Sequence, residues 1–303
     1  MSPRHAVRRG ADAAWAVPPA LEGHVTGFRR WIVIDEAAGA VHTGFGLTEL
    51  DPGGRVDWHV HSFEETVYVL EGEVVLRMSE VALRLAAGDY AMIPIGTPHA
   101  LANDGSVVGR LASLSAPQPR PAHDGDTYWI PPLPELDPVA VDVRDPRTRA
   151  AGHISPENMD PAKQTQDLVA VSASARTALL VYSGITLKMM VDTDLGAQLS
   201  TMFMVQNDEL GGAGRHDHPF EEVYFILEGV VDGEFDGETY RLETGDIAWA
   251  GVGCVHAFSN PGPGKVKWLE TQAPAPPARH SYRVARDWEY LRDAIAAQEE
   301  EAR

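Results

Sequence analysis

Three histidines and one glutamate recur twice in this chain with the same spacing. The first set is His59, His61, Glu65 and His99, and the second is His216, His218, Glu222 and His256. Every member of the second set lies 157 residues after its counterpart (216 − 59 = 157). Imidazole nitrogens with one carboxylate suit Fe, Mn, Ni, Cu, Co or Zn, and a set without thiolate disfavours a closed structural zinc site. Four protein ligands on a six-coordinate ion leave two positions open, so we predict up to one catalytic divalent transition metal in each half.

The same offset relates residues that are not candidate ligands. Gly72 corresponds to Gly229, Asp89 to Asp246, and the Phe-Glu-Glu sequence at 63–65 returns at 220–222. A chance pair of motifs would not bring turn glycines and apolar strand positions into one register. The chain is therefore predicted to hold two homologous domains, residues 1–140 and 141–303, with motif cores at about 27–115 and 184–272.

Short apolar segments that would have to position these ligands have the character of strands. Residues 66–70 and 223–227 are rich in β-branched or aromatic side chains, and helical periodicity is scarce. Alternate side chains of a strand face the same way, so His59 and His61 would point to one place, which His99 reaches from a later strand. Such convergence requires a closed or nearly closed sheet. We therefore predict an all-β protein with a barrel in each half.

Two segments lie outside the repeated cores. Residues from about 116 to 175 are rich in proline and charge, and Trp129 among Pro-flanked apolar residues predicts an extended linker that packs on a barrel. Near the end of the chain, Trp288, Leu291, Ala294 and Ile295 recur at helical spacing. This spacing predicts a short amphipathic C-terminal helix.

Composition and charge argue against several classes of partner. A net charge of −19 disfavours nucleic acid and anionic membranes, because a phosphate-binding surface needs clustered Lys and Arg. The chain has one cysteine, Cys254, no apolar run long enough to span a bilayer, and a start without the apolar region of a signal peptide. These features predict a cytoplasmic protein whose basic N-terminal residues form a tail or a strand-exchanging arm.

Both halves resemble the cupin family. The first half carries the two-part pattern Gly53-x5-His59-x-His61-x3-Glu65-x6-Gly72 and Gly88-x5-Pro94-x-Gly96-x2-His99-x3-Asn103. The second half repeats the ligands but has Gly251 where the family usually has proline, which affects a turn and not a ligand. The resemblance covers most of the chain outside the tails and linker. It implies a bicupin with a jelly-roll-like, conical β-barrel in each half, and a homodimer or higher homo-oligomer.

The family does not determine the reaction, since cupins include dioxygenases, decarboxylases, isomerases, aminohydrolases and non-catalytic binding proteins. Our first interpretation is an O2-dependent dioxygenase or related oxidoreductase, in which a small polar organic substrate chelates the metal. The alternatives are a redox-neutral, metal-assisted hydrolase similar to ureidoglycine aminohydrolases, a decarboxylase or an isomerase. A third class is a non-catalytic cupin that binds a small ligand and is stabilised by its metal.

The two halves differ at positions predicted to face the barrel interiors. Tyr224 has the strand parity of Glu222, whereas its counterpart in the first half is Val67. Tyr224 is therefore a candidate catalytic residue or, alternatively, an aromatic side chain that fills the core. Phe258 likewise replaces Leu101. The second cavity is thus predicted to be more aromatic, and the two barrels are expected to have different roles.

Overall fold

The computed structural model describes residues 4–163, 177–180, 183–276, 283–284, 296 and 299–300, with the backbone alone described at 177–180 and 283–284. The all-β prediction is confirmed, since the described chain consists mainly of strands joined by turns and short 3-10 helices. The predicted C-terminal helix over residues 288–295 lies outside the described residues. In the described part of the chain, no helix is long and apolar enough to cross a membrane.

The strands fall into two groups along the chain. The first group is β1 (His5–Arg8), β2 (Val25–Ile34), β3 (Gly44–His61), β4 (Glu64–Glu71), β5 (Glu73–Met78), β6 (Ala82–Ala86), β7 (Asp89–Ile93), β8 (His99–Ala102), β9 (Gly109–Ala116), β10 (Thr127–Trp129), β11 (Val139–Ala140) and β12 (Ala151–His153). The second group is β13 (Thr177–Leu180), β14 (Ile185–Val191), β15 (Thr201–Asn207), β16 (Gly212–Asp217), β17 (Glu221–Glu228), β18 (Val230–Phe235), β19 (Glu238–Glu243), β20 (Ile247–Ala250), β21 (His256–Ser259), β22 (Val266–Ala273) and β23 (Arg283–Val284). The 3-10 helices are Gly10–Asp12, Pro19–Leu21, Glu36–Ala38, Pro121–Asp126, Pro146–Thr148, Pro156–Met159 and Pro161–Lys163.

The strands build two barrels, one from each group except that β1 joins the second barrel. The first barrel is one 11-stranded sheet in the order β11-β6-β5-β8-β3-β9-β4-β7-β12, with β2 and β10 also paired to β3. Its longest strand, β3, has 18 residues. The first part of β3 pairs with β9 and the last part pairs with β8. The second barrel combines a seven-stranded sheet, β1-β20-β17-β22-β15-β14-β13, with a five-stranded sheet, β19-β18-β21-β16-β23. The prediction of two tandem barrels is confirmed.

The pairing registers of the two barrels coincide after the 157-residue shift. Val67 of β4 pairs with Ser113 of β9, and Tyr224 of β17 pairs with Glu270 of β22. A register irregularity near the end of β4 returns at the equivalent point of β17. Because such irregularities re-aim neighbouring side chains, their repetition indicates that a whole folded unit was duplicated.

Each barrel is completed by a strand that lies, in sequence, before the other repeat. β1 pairs with β20 of the second barrel, and β12 pairs with β7 of the first, so the two added strands cover equivalent edges. An aspartate holds each added segment. Asp89 Oδ1 lies 2.8 Å from His153 Nδ1, and Asp246 accepts hydrogen bonds from the backbone of Gly10 at 3.0 Å and from Arg9 at 2.5 Å. The predicted domain boundary at residue 140 stays a prediction.

His153 is expected to make stability depend on pH. Its hydrogen bond to Asp89 raises the pKa of His153 above its ordinary 6.5, although burial opposes this. Protonated His153 therefore stabilises the fold, fully below about pH 6.5 and less as the pH rises through the folded-state value. In urea unfolding, His153→Gln should lower the free energy of unfolding by less than about 1 kcal/mol near pH 5, as expected of a half-exposed ion pair. Near pH 9 the substitution should leave this free energy almost unchanged. His123→Gln is the exposed control, and a cost that grows with pH would contradict the assignment.

The barrels pack against each other through an apolar core, and two buried carboxylates also join them. Glu64 accepts two backbone N–H bonds and one hydroxyl bond from residues 198–200 of the second barrel. Glu221 accepts three backbone N–H bonds from residues 41–43, the equivalent segment of the first barrel. Charge-assisted bonds of this kind satisfy a buried carboxylate. Both glutamates therefore join the barrels, and strand alternation turns them away from the neighbouring ligand carboxylates.

Candidate metal centres

The first candidate metal centre lies inside the first barrel. His59 and His61 lie at the end of β3 with one residue between them, and His99, the first residue of β8, is the register partner of His59. One ring nitrogen from each lies within 4.8 Å of the others, and all three residues are buried. The structure thus brings together three of the four ligands predicted for this half.

The ring nitrogens of these histidines are arranged as a metal requires. Nδ1 of His59 donates to the carbonyl of Asp57 at 2.7 Å, and Nδ1 of His99 donates to that of Thr97 at 2.8 Å. These bonds leave Nε2 of both rings available to the cluster. Nε2 of His99 and Nδ1 of His61 are buried without a hydrogen-bond partner among the described residues. Because unpaired buried nitrogens cost free energy, a bound cation fits this donor set.

Burial keeps the clustered imidazoles neutral. It lowers the pKa of His59 to about 3, with the charge of His99 next in effect, and it lowers the pKa of His61 and His99 as well. In the second barrel, burial lowers the pKa of His216 to about 4. Neutral imidazole is the form that binds metal ions, so the three histidines of the first cluster can take up a cation without first losing protons.

Glu65 lies at the edge of the first cluster rather than within it. Its Oε2 is 3.6 Å from Nδ1 of His61 and 4.0 Å from Nε2 of His99, while its Oε1 is 3.8 Å from Nη1 of Arg30. The arginine thus shares the carboxylate with the histidines. The first centre is a three-histidine cluster with a carboxylate beside it, which differs from the compact four-ligand set of the sequence analysis.

The second candidate centre brings together all four predicted ligands. Donor atoms of His216, His218, Glu222 and His256 lie within 4.8 Å of one another. Oε2 of Glu222 is 2.7 Å from Nε2 of His218 and 3.3 Å from Nε2 of His256. Burial raises the pKa of Glu222, but the hydrogen bonds and charges of the two histidines outweigh it and hold the pKa well below its usual range. This carboxylate therefore stays ionised inside the barrel.

Tyr224, the candidate catalytic residue, contacts the second centre directly. Its hydroxyl donates to Oε2 of Glu222 and lies 2.8 Å from Nε2 of His256. Nε2 of Gln272 donates to the other Glu222 oxygen at 2.6 Å. Burial, followed by the charge of Glu222, raises the pKa of Glu270 well above its usual range. Glu222 is thus held by buried polar groups of its own repeat.

A cavity of about 310 Å³ opens beside the first cluster. His59, His61 and Glu65 line it, and Arg30 brings a guanidinium group into it. Much of the remaining wall is apolar, and the 3-10 helix Pro19–Leu21 contributes to it. This size and lining are typical of a site for a small organic molecule.

Larger side chains occupy the equivalent positions of the second barrel. Val67, Leu101, Leu111, Ser113 and Ser115 line the first cavity, and their counterparts are Tyr224, Phe258, Trp268, Glu270 and Gln272. All five counterparts are buried. The ring centroid of Phe258 lies 4.6 Å from that of Tyr224 and 5.3 Å from that of Trp268. The second barrel therefore fills with its own side chains the space that the first leaves open.

Three polar residues of these interiors were not predicted from the sequence. Arg30 corresponds to Leu187, so it is a charged residue at a strand position that is apolar in the other repeat. Glu270 and Gln272 correspond to the two cavity-lining serines. A position-by-position comparison of the repeats contains this signal, because equivalent strand positions that change from apolar or small to charged mark a changed interior.

A third group of potential ligand atoms, from His5, Asp236 and Cys254, is a poor metal site. Burial raises the pKa of the Cys254 thiol to about 12, and thiolate is the form that binds metal. Asp236 is also paired with Arg4 at 2.9 Å. The two histidine clusters are therefore the stronger candidates.

Comparison with known proteins agrees with this architecture. Residues 46–115 and 203–271 match the family model described as Cupin domain. The chain is 30% identical over 149 residues to Protein SchB of Streptomyces halstedii, covering 49% of this chain and 87% of that protein. It is 31% identical over 109 residues to the tetracenomycin polyketide synthase protein TcmJ of Streptomyces glaucescens, covering 35% and 72%. The formate complex of Lactobacillus farciminis oxalate decarboxylase superposes with a TM-score of 0.63 at 15% identity, over 93% of this chain and 89% of that one, which shows a shared fold alone.

Proposed function

The chain belongs to the cupin family, and on this basis we propose that it is a metal-dependent enzyme whose first barrel transforms a small ring-containing molecule. The observation that carries the proposal is the three-histidine cluster beside a cavity of about 310 Å³. Our first choice of reaction is O2-dependent oxidation of a substrate that chelates the metal through oxygen atoms.

Two sets of residues would hold metal ions. The first is His59, His61 and His99 with Glu65 beside them, and the second is His216, His218, Glu222 and His256. When bound, Fe, Mn, Ni or Cu would supply activation of dioxygen and of a chelating substrate, whereas Zn would supply polarisation alone. Because Glu65 lies beside the three histidines rather than among them, this set would leave room at a bound ion for substrate and dioxygen.

The residues around the first cluster would orient the reactants and keep water away. The main-chain bonds of His59 and His99 fix their ring orientations, so the open side of the cluster is set before substrate binds. Phe45 and Phe63 belong to the cavity wall and would limit the water around a bound substrate. A dry, preorganised site strengthens each polar contact made within it.

The proposed substrate has a mostly apolar skeleton with its polar groups at one end. The cavity is lined by apolar residues, among them Phe28, Ile34 and Leu111, and its polar groups include His59 and His61 of the metal cluster. Two relatives are named polyketide synthase proteins, at 31% and 30% identity. A polyketide-derived ring compound is therefore the proposed substrate class, in place of the generally polar molecule expected from the ligand pattern.

A redox-neutral reaction such as hydrolysis, decarboxylation or isomerisation is the second candidate function. The position of Glu65 favours it, since this carboxylate lines the cavity 4.0 Å from Nε2 of His99. From there it could accept a proton from a bound substrate, which is the role of a general base.

For the second barrel we propose a metal-holding role without substrate. Its interior is occupied by Tyr224, Phe258 and Trp268 where the first barrel has its cavity. Tyr224, predicted as a catalytic candidate, would then position Glu222 through its hydrogen bond. The expected homodimer or higher oligomer stays a prediction.

Metal analysis combined with oxygen uptake tests the proposed function. The chelator-treated protein is reconstituted anaerobically with Fe, Mn, Ni, Cu or Zn and assayed with a panel of two- and three-ring phenols and hydroxy acids. Oxygen uptake in step with product, supported by a redox-active metal and not by Zn, is the expected result. Conversion without oxygen would favour the second candidate function, and binding without conversion under all conditions would contradict an enzymatic role.

A further inference from the structure

Arg30 is a partly buried cation in a mostly apolar cavity. Its Nη2 donates to Oγ of Ser113 at 2.8 Å, and its Nη1 lies 3.8 Å from Oε1 of Glu65. The side chain retains 20% of its accessible surface and lines the cavity. Arg30 therefore presents its charge to whatever occupies this space.

The guanidinium of Arg30 has more N–H donors than the described residues engage. It carries five N–H groups, and its contacts within the described part of the chain are the Ser113 hydroxyl and the Glu65 carboxylate. The distance of 3.8 Å to Glu65 exceeds that of a hydrogen bond. A guanidinium group forms its strongest pairs with a carboxylate or phosphate at bidentate distance, so the remaining donors of Arg30 suit an anionic group of a ligand.

The room for Arg30 is specific to the first barrel. A Cβ atom at Gly46 would lie 2.8 Å from Nε of Arg30 and 2.9 Å from the carbonyl oxygen of Trp31, so glycine leaves room both for the arginine and for the neighbouring strand. At the equivalent positions, the second barrel has Phe203 for Gly46 and Leu187 for Arg30. The cation and the space that admits it therefore occur together with the open cavity.

The charges and geometry of the cavity favour an anion beside the histidines. The charged residues among the described cavity wall are Arg30, Glu65 and Asp35, and Asp35 is engaged by the backbone N–H groups of Ala37 and Ala38. The negative charge of Glu65 offsets the positive charge of Arg30. A divalent ion bound by the histidines would therefore make the net charge of this part of the cavity positive. Glu65 also spans Arg30 and the histidines with its two oxygens, which shows that a group of carboxylate width can reach both.

We propose that Arg30 is a specificity-determining residue that binds the carboxylate of a ring-containing, otherwise apolar substrate. The carboxylate binds at the guanidinium, a neighbouring oxygen of the substrate faces His59, His61 and His99, and the ring lies against the apolar wall. This inference rests on the proposed function, because it takes the first-barrel cavity as the substrate site.

A binding experiment with a matched pair of probes tests this role. The fluorescent acid 3-hydroxy-2-naphthoate and its uncharged analogue 3-hydroxy-2-naphthamide are titrated into the full-length protein, as purified and after metal removal. The wild type should bind the acid at least about tenfold more tightly than the amide in both forms. Arg30→Met should bring the two affinities within about twofold without weakening the amide, and Arg30→Lys should keep part of the preference.

Two further variants keep the test decisive. Arg29→Met is the matched control, because Arg29 pairs with Glu49 and Asp51 and does not line the cavity; it should retain the full preference. Ser113→Ala, which removes the bond that orients Arg30, should reduce the preference even if Arg30→Met does not fold. Since binding is read without turnover, the result is independent of whether any metal supports catalysis.

Several results would overturn the role of Arg30. They are equal binding of the two probes by the wild type, no binding of either probe, a preference that survives Arg30→Met, or an equal loss in Arg29→Met. Acetate competes for the carboxylate position but lacks the ring. Displacement of the naphthoate by acetate at equal concentration would show an unspecific anion site and would also overturn the proposal.

Discussion

His59→Ala is expected to lower kcat/KM by on the order of 1,000-fold or more, whereas His216→Ala should keep most of the wild-type activity. Removal of a single group that stabilises transition-state charge costs about 100- to 1,000-fold, and His59 would hold the ion itself. His59 lines the cavity, while His216 belongs to a centre whose barrel interior is filled by aromatic side chains. The measurement is kcat/KM with the substrate that the reconstitution assay identifies.

Metal content and thermal unfolding provide the controls for this pair. Each variant should lose about one equivalent of metal per chain, with a fall in melting temperature because the lost ion would bind only the folded chain. Tyr224→Phe is a milder change in the same barrel. It should change metal content and melting temperature in the same direction as His216→Ala. Equal losses of activity in the two alanine variants would rule out divided roles for the barrels.

Leu111→Trp is expected to weaken binding of 3-hydroxy-2-naphthoate by about 50- to 100-fold. It places in the first cavity the side chain that the second barrel has at the equivalent position, Trp268. Loss of about 100 Å² of apolar contact with the probe corresponds to about 2.5 kcal/mol, which gives a change of this size. Because the indole would occupy space that is open in the wild type, the fold should be retained, and circular dichroism checks this.

The reverse change in the second barrel is the matched control. Trp268→Leu removes a buried ring and should lower the free energy of unfolding by about 2 to 4 kcal/mol. It should leave naphthoate binding unchanged, because the probe is expected in the first barrel. If Trp268→Leu alters naphthoate affinity as strongly as Leu111→Trp does, the assignment of the substrate site to the first barrel is wrong.

The repeated ligand spacing was enough to predict the strands that carry the candidate ligands and the presence of two barrels. Alternation along β3 already implied that His59 and His61 share a face, and the structure has them there. The position of Glu65 could not be predicted in the same way, because Arg30 reaches it from β2, a strand outside the motif. Local patterns contain no information on which distant side chain will compete for a carboxylate.

The open cavity could not be predicted from local sequence patterns either. Its volume depends on the sum of several side chains that converge from different strands. A single replacement such as Tyr224 for Val67 indicates only whether the volume becomes smaller or larger. The added strands β1 and β12 were not predictable as pairs either. β1 lies beside β20 because the edge of a barrel needs a partner, and nothing in four residues of sequence identifies which edge.

The pairing of β1 with β20 has a consequence for the order of events during synthesis. Arg8 pairs with Ile247, which the ribosome adds about 240 residues later. At about 5 to 20 residues per second, that interval is roughly 10 to 50 s. The first barrel can acquire β12 and close during this time, while residues 5–8 wait without their partner strand. The second barrel is therefore completed by a segment that leaves the ribosome long before its partner strand does, and a chaperone that shields such a segment would act on this one.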